Sequence, residues 1–310
     1  MIFVLDESLK SIDQEAKGVL AKLIAAIAER KHYMKVASQV WQWIDEEILT
    51  TRFLGSMDIE LIRKNNEFRD ITKTMSDYLS QIYVGCKQGC IEPCRAILLV
   101  ERPSYVVVEN EANDWPVLRK WIELMKNERM FRSINMLVEK KKCAGELRPY
   151  NAGSCGQIIN ILLERMAEFG ELSSYKVMTV YDSDKELENA ELSNEKKKIQ
   201  NFTTEKRLID HRLYKREMEN YFELECYKKA RLADDDLIYT LPVQSWDFED
   251  VEKYIKDNST RHYKKQNLPI LSNYIDKRKL MNITAHHSLL HNGMNISEIQ
   301  LLILKFAKLV

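Results

Sequence analysis

Glycine and proline are scarce in this chain, nine and six among 310 residues. With 45% hydrophobic residues, that poverty in turn formers argues against an unfolded polymer and for a folded, helix-rich protein. The length suits two or three domains. No apolar run approaches the roughly 20 residues of a membrane span. The opening MIFVLDESLK lacks a signal-peptide pattern, because Asp6 and Glu7 interrupt it early. A cytoplasmic protein with no membrane partner is therefore expected. No CxxC pair occurs, and six cysteines are too few for a disulfide framework in a chain this long. Cys86, Cys90 and Cys94 recur every fourth residue but lack the close pairs of zinc sites, and read as reduced structural thiols. Net charge is lacking too: 47 basic residues balance 47 acidic ones, so any nucleic-acid surface must be local. There is no internal repeat, and no P-loop that would give the chain its own ATPase.

What is present falls into three stretches. Residues 1–94 read as mostly helical after a short strand, Ile2 to Leu5, with helical patterns at Asp13–Arg30, Lys35–Leu49 and Asp58–Tyr83. Asp6, at the end of that first strand, reads as a cap or turn residue. Residues 95–245 read as α/β, with strands expected at Ala96–Val100, Tyr105–Val108, Ser133–Val138 and Val177–Tyr181. Helices are expected at Trp115–Lys126, where Asp114 can cap and Pro116 suits the first turn, and at Gln157–Phe169. Strands alternating with helices imply a parallel or mixed sheet. The charge-dense run from Lys185 to Arg207 reads as an exposed helix or insertion near 185–210. Residues 246–310 turn helical again, ending in a helix whose capping box is expected at Asn295 and Glu298.

The chemistry concentrates at two strand ends. Val106-Val107-Val108 runs into Glu109 and Glu111, and Val177 to Tyr181 runs into Asp182 and Asp184. An acid at the end of a buried strand is costly unless compensated, and a divalent cation with oxygen ligands is the usual compensation. Residues two apart on a strand share a face, so Asp182 and Asp184 are expected to point the same way. In α/β sheets, ligands bind beyond the carboxyl ends of strands. One Glu with two Asp suits Mg2+ or Mn2+, ions that activate water in phosphodiester cleavage.

The order VVVENEAND, NAGSCG, VYDSD and KREMENYF resembles a Toprim domain, the topoisomerase–primase fold. Within that fold it is most similar to the overcoming-lysogenisation-defect nucleases and related phage-defence nucleases. The resemblance spans roughly residues 96 to 240. It implies a Toprim-like catalytic domain flanked by helical N- and C-terminal regions, and a metal-dependent nuclease. Glu109 would serve as metal ligand or general acid–base, and Asp182 and Asp184 would hold Mg2+ or Mn2+. Asp114 or Glu111 would match the second acid of the first motif, and Glu219 would complete a second metal site. Lys215 and Arg216 would bind or polarise the scissile phosphate of a DNA or RNA substrate. It also implies an ATPase partner supplied by another polypeptide. Asn110 stands where that family usually carries Gly, and no topoisomerase-type companion domain is apparent. A non-catalytic Toprim-like adaptor is the alternative reading.

Three further features have plainer readings beside functional ones. Gly153 and Gly156 precede a helix, where a phosphate can be approached closely or a tight connection simply made. His286, His287 and His291 read as a surface or turn cluster more readily than as a metal site. Arg261 to Lys279 mixes basic residues with Tyr263 and Tyr274, which suits nucleic-acid contact as well as a solvated amphipathic face.

Overall fold

The structure, a computed structural model, describes all residues except 31, 51–53, 65–72, 241, 286–288 and 292. It is α/β, with a three-stranded and a four-stranded parallel sheet. Two compact units form, one of residues 1–104, 145–147 and 307–310, the other of residues 105–144 and 148–306.

In the first unit β1 (Ile2–Leu5) lies between β2 (Tyr33–Val36) and β3 (Gln81–Val84), parallel to both. Ile2, Phe3 and Leu5 are buried, as suits a central strand. The Gln14–Glu29 helix makes the crossover from β1 to β2. Asp13 caps it, accepting from the Ala16 amide at 2.8 Å, and Leu20, Leu23, Ile24 and Ile27 form its buried stripe. Asp6 is a cap as well: its carboxylate accepts from the Ser8 amide and pairs with Lys87. β2 and β3 replace the start of one expected helix and the end of another. The expected Asp58–Tyr83 helix is Ser56–Lys64, then residues 65–72 outside the described ones, then Lys73–Tyr78.

Two expected strands are helices. Ala96–Val100 lies in a helix at Pro93–Glu101, where Pro93 sits in the first turn and Ala96, Leu99 and Val100 are the buried positions. Ser133–Val138 lies in a helix at Arg132–Cys143, burying Ile134, Leu137, Val138 and Lys141. Spacings of three and four put these apolar residues on one helical stripe, and that packing overrides the short β-like runs.

The four-stranded sheet is built from β4 (Ser104–Val108), β5 (Leu147–Asn151), β6 (Val177–Tyr181) and β7 (Ile209–Arg212), in the order β5-β4-β6-β7. β5 and β7 read poorly as strands because each is a short edge: Pro149 interrupts one, and the other is IDHR. β4 pairs with β6 in parallel, Val107 opposite Thr179, and β6 with β7, Tyr181 opposite Arg212. All five β6 residues are buried, as expected for a strand covered on both faces.

From β4 the chain turns outward to β5, then returns past β4 to lay down β6, then β7. The connections thus diverge between β4 and β6, which makes the crevice beyond their carboxyl ends a topological switch point. Glu109 and Asp182 are the first residues past those ends.

Candidate functional site

The β4–β6 register brings the two acidic turns to one level of the sheet. Past β4, Asn110 caps the Glu111–Met125 helix, its side chain accepting from the Asn113 amide. The helix therefore begins a turn before the expected Trp115, and Asp114 is not its cap. Asp114 lies buried inside the first turn and reaches back to accept the Asn110 amide at 2.8 Å. Burial, and then the charge of Asp182, push its carboxyl up to about 7. Glu111 is exposed on the outer face, its amide donating to the Asn151 side chain at 3.2 Å.

Past β6 the strand geometry ends at Tyr181, so Asp182 and Asp184 do not share a strand face. Asp184 adopts a left-handed backbone, φ 54°, a strained conformation for a residue with a side chain. Bonds to the following segment hold it there. The Asp184 amide donates to Arg216 O at 2.9 Å, and Ser183 Oγ donates to Lys215 O at 2.7 Å. The Met218 amide donates to Asp182 Oδ1 at 3.1 Å.

The consequence is that the two aspartates serve different cations, and both cations are lysines. Lys196 Nζ stands 2.5 Å from Glu109 Oε1 and 3.1 Å from Asp184 Oδ2. Lys265 Nζ stands 3.1 Å from Asp182 Oδ2, 3.8 Å from Glu219 Oε1 and 3.9 Å from Glu217 Oε2. Among the described residues, no three carboxylate, imidazole or thiol groups converge tightly enough to hold one ion as they stand, since the acids are drawn onto the two ammonium groups. Burial opposes charge on both lysines, yet Glu109 with Asp184, and Asp182 with Glu219 and Glu217, outweigh it and raise both amines.

Compensation is uneven. Burial raises Glu109, Glu217 and Glu219, with Asp182 adding repulsion, and Glu219 reaches about 8. The Glu219 side chain is 2% exposed, and its Oε2 has no hydrogen-bond partner.

The Lys185–Arg207 run is largely exposed, and its helix carries one buried stripe. Ser193 caps a helix at Asn194–Glu205 that buries Lys196, Ile199 and Thr203. Three- and four-residue spacing with Ile199 and Thr203 is the one sequence signal that marks Lys196 as buried. Lys265 lies in the basic Arg261–Lys279 segment, yet its ammonium turns to Asp182. Other charges of that segment are also engaged, Lys277 by Glu128 at 2.7 Å and Arg261 by Asp234 at 3.5 Å. Tyr263 is buried edge-on against Tyr227.

Lys215 is placed otherwise than a phosphate-binding group requires. Its buried ammonium is held by Asp247 and by Asn220 O, and burial lowers its pKa despite Asp247. Arg216 reaches Asp250 at 3.5 Å and lines a groove of about 560 Å3 with Lys253, Phe248 and Tyr254. The KREMENYF segment is a latch around one short turn, Met218–Tyr221. Asn220 Nδ2 donates to Trp246 O and Glu249 O, and Tyr221 Oη donates to Glu298 Oε2 at 2.6 Å. The last helix, Glu298–Leu309, is capped by Ser297 with Gln300 rather than by Asn295 with Glu298. Glu298 instead accepts from Tyr221, from the Tyr214 amide and from the His211 ring.

Gly153 takes φ 79°, a turn requirement; with Gly156 it leads into the Ile158–Phe169 helix. His286 and His287 lie outside the described residues. His291 ends a strand, Leu289–His291, paired with Met294–Ile296, so helical four-residue spacing does not apply to it. No helix among the described residues is long and apolar enough to cross a membrane. No family model matches the chain, and neither the curated proteins nor the solved structures provide a match.

Proposed function

We propose that the chain is a Toprim-type, metal-dependent nuclease that hydrolyses phosphodiester bonds of DNA or RNA. It acts as the effector of a prokaryotic anti-phage system, together with a separate ATPase subunit. One observation carries the nuclease reading: Glu109 and Asp182 lead an acidic cluster set at the switch point between two parallel strands, where α/β sheets bind their ligands. The defence role and the ATPase rest on the resemblance of the acidic motifs.

The donors present suit Mg2+ or Mn2+. They are hard carboxylate oxygens, and one of them, Glu219 Oε2, is buried without a partner. Glu109, Asp114, Asp182, Asp184 and Glu219 are the residues that would hold the ion. When bound, it supplies an activated water and charge stabilisation for the leaving oxygen. The chain's own groups keep the acids together before loading: Lys196 and Lys265 offset part of their charge, and the Asp184 turn is tied to Arg216.

A second reading has an observation in its favour. Each of Glu109, Asp184 and Asp182 is already held by an ammonium group, as a Toprim-like adaptor without catalysis requires. Purified protein with Mg2+ or Mn2+, offered DNA and RNA with and without its ATPase, separates the two. The nuclease reading expects cleavage that Asp182→Ala abolishes. Cleavage unchanged in that variant sinks the site assignment.

A further inference from the structure

The groove lined by Arg216 has a charge and a shape that the acidic cluster does not use. Its volume, about 560 Å3, falls within the roughly 300–1,000 Å3 of binding clefts. Glu186 and Leu187 line it from the loop that follows Asp184, and Phe248 and the Val251–Asn258 helix line it from the later chain. Four carboxylates, Glu186, Glu249, Asp250 and Asp257, stand against two cations, Arg216 and Lys253. Arg216 is already held by Asp250 at 3.5 Å and Glu217 at 3.9 Å. Among the described residues, Glu186 and Asp257 meet neither a cation nor a hydrogen-bond donor, and both are exposed. A field of this sign repels phosphates and attracts cationic groups.

Apolar surface lies beside these acids. The Phe248 and Tyr254 rings line the groove, and Leu187, 70% exposed, is on its rim. Ile238, 71% exposed, is next to it, its carbonyl accepting from Tyr254 Oη at 2.9 Å. Free carboxylates beside aromatic faces suit guanidinium and ammonium groups, which pair with the first and stack on the second.

We propose that this groove docks a basic segment of a partner protein, with Arg or Lys side chains on Glu186 and Asp257 and an apolar side chain among Leu187, Phe248 and Tyr254. This goes beyond the nuclease reading, since it requires neither cleavage nor a bound ion. Docking also bears on the acidic turn. The Asp184 amide donates to the Arg216 carbonyl at 2.9 Å, and Asp184 holds its φ of 54° two residues before Glu186. A segment that engages Glu186, and Asp250 beside Arg216, acts on both ends of that hydrogen bond.

Fluorescence anisotropy of the full chain with a short labelled peptide alternating Arg and Leu tests the proposal. The comparison probes are the same peptide with Glu for Arg and a labelled single-stranded DNA. The basic peptide is expected to bind at least about tenfold tighter than the acidic one, and Glu186→Lys combined with Asp257→Lys weakens it at least about tenfold. Glu29→Lys combined with Glu101→Lys, exposed positions of the first unit, makes the same change in net charge and leaves binding within about twofold. Both groove positions are exposed, so these substitutions leave the fold intact, which circular dichroism checks. In amide NMR spectra of the isotope-labelled chain, the signals of Asp184 and Leu187 move as the peptide is added. Equal weakening by the two pairs of substitutions overturns the proposal, because net charge alone then accounts for the attraction. No preference for the basic peptide overturns it as well. DNA binding that the groove pair abolishes overturns it in favour of a nucleic-acid groove.

Discussion

Replacing Lys196 by Met removes one positive charge while keeping most of the buried stem. Lys196 is 0% exposed, Glu109 21% and Asp184 45%. Deleting one partner of a buried pair costs about 3–5 kcal/mol, but the half-exposed Asp184 recovers solvent and contributes as a surface pair, about 0–1 kcal/mol. Glu109 carries most of the loss, and the apolar Met stem offsets part of it, so about 2–3 kcal/mol is expected at pH 8. At roughly 2–4 °C per kcal/mol for a domain of this size, the midpoint falls by about 4–12 °C. The loss must shrink at low pH. Burial already raises the Glu109 carboxyl, and without Lys196 it rises further, so at pH 5 Glu109 takes up a proton and needs no partner. Urea unfolding of wild type and Lys196→Met at pH 5 and pH 8, read by circular dichroism, measures both quantities. A difference below about 0.5 kcal/mol at pH 8, or an equal loss at both pH values, refutes the argument that Lys196 compensates Glu109.

Glu219→Gln changes how stability depends on pH. Glu219 stands at about 8 in the fold against an ordinary 4.5, so between those values the folded chain holds a proton the unfolded chain has lost. Wild-type stability therefore falls as pH rises through that window, by up to about 1.4 kcal/mol per unit for this group; the variant should lose that share of the slope, and an unchanged slope in urea melts from pH 5 to 8 counts against it. Lys215→Met leaves Asp247 buried without its cation and is expected to cost about 3 kcal/mol; per folded molecule, cleavage should persist, and its disappearance at full stability would return Lys215 to the reaction. Tyr221→Phe removes the hydroxyl between Glu298 and the Tyr214 amide and should cost about 1–3 kcal/mol in the same assay.

Local pattern carried much of the architecture. The runs at Ile2–Leu5, Val106–Val108 and Val177–Tyr181 are strands, because a β-branched or apolar run bounded by charge has few other ways to be buried. The helices after Asp13 and Gln157 follow from their stripes. Short runs failed where they fit two periods at once: Ala96–Val100 and Ser133–Val138 are helical because their buried positions fall three and four apart. Edge strands β5 and β7 carry little apolar signal, and only the neighbouring strand makes them strands.

Sequence alone determined that acids terminate the strands that become β4 and β6, because both the apolar run and the charge that ends it are local. Tertiary structure alone decided what compensates those acids. Lys196 meets Glu109 across 87 positions of sequence, and Lys265 meets Asp182 across 83. An ammonium on a long stem leaves no periodic trace of its partner, and only the fold sets which carboxylate it reaches.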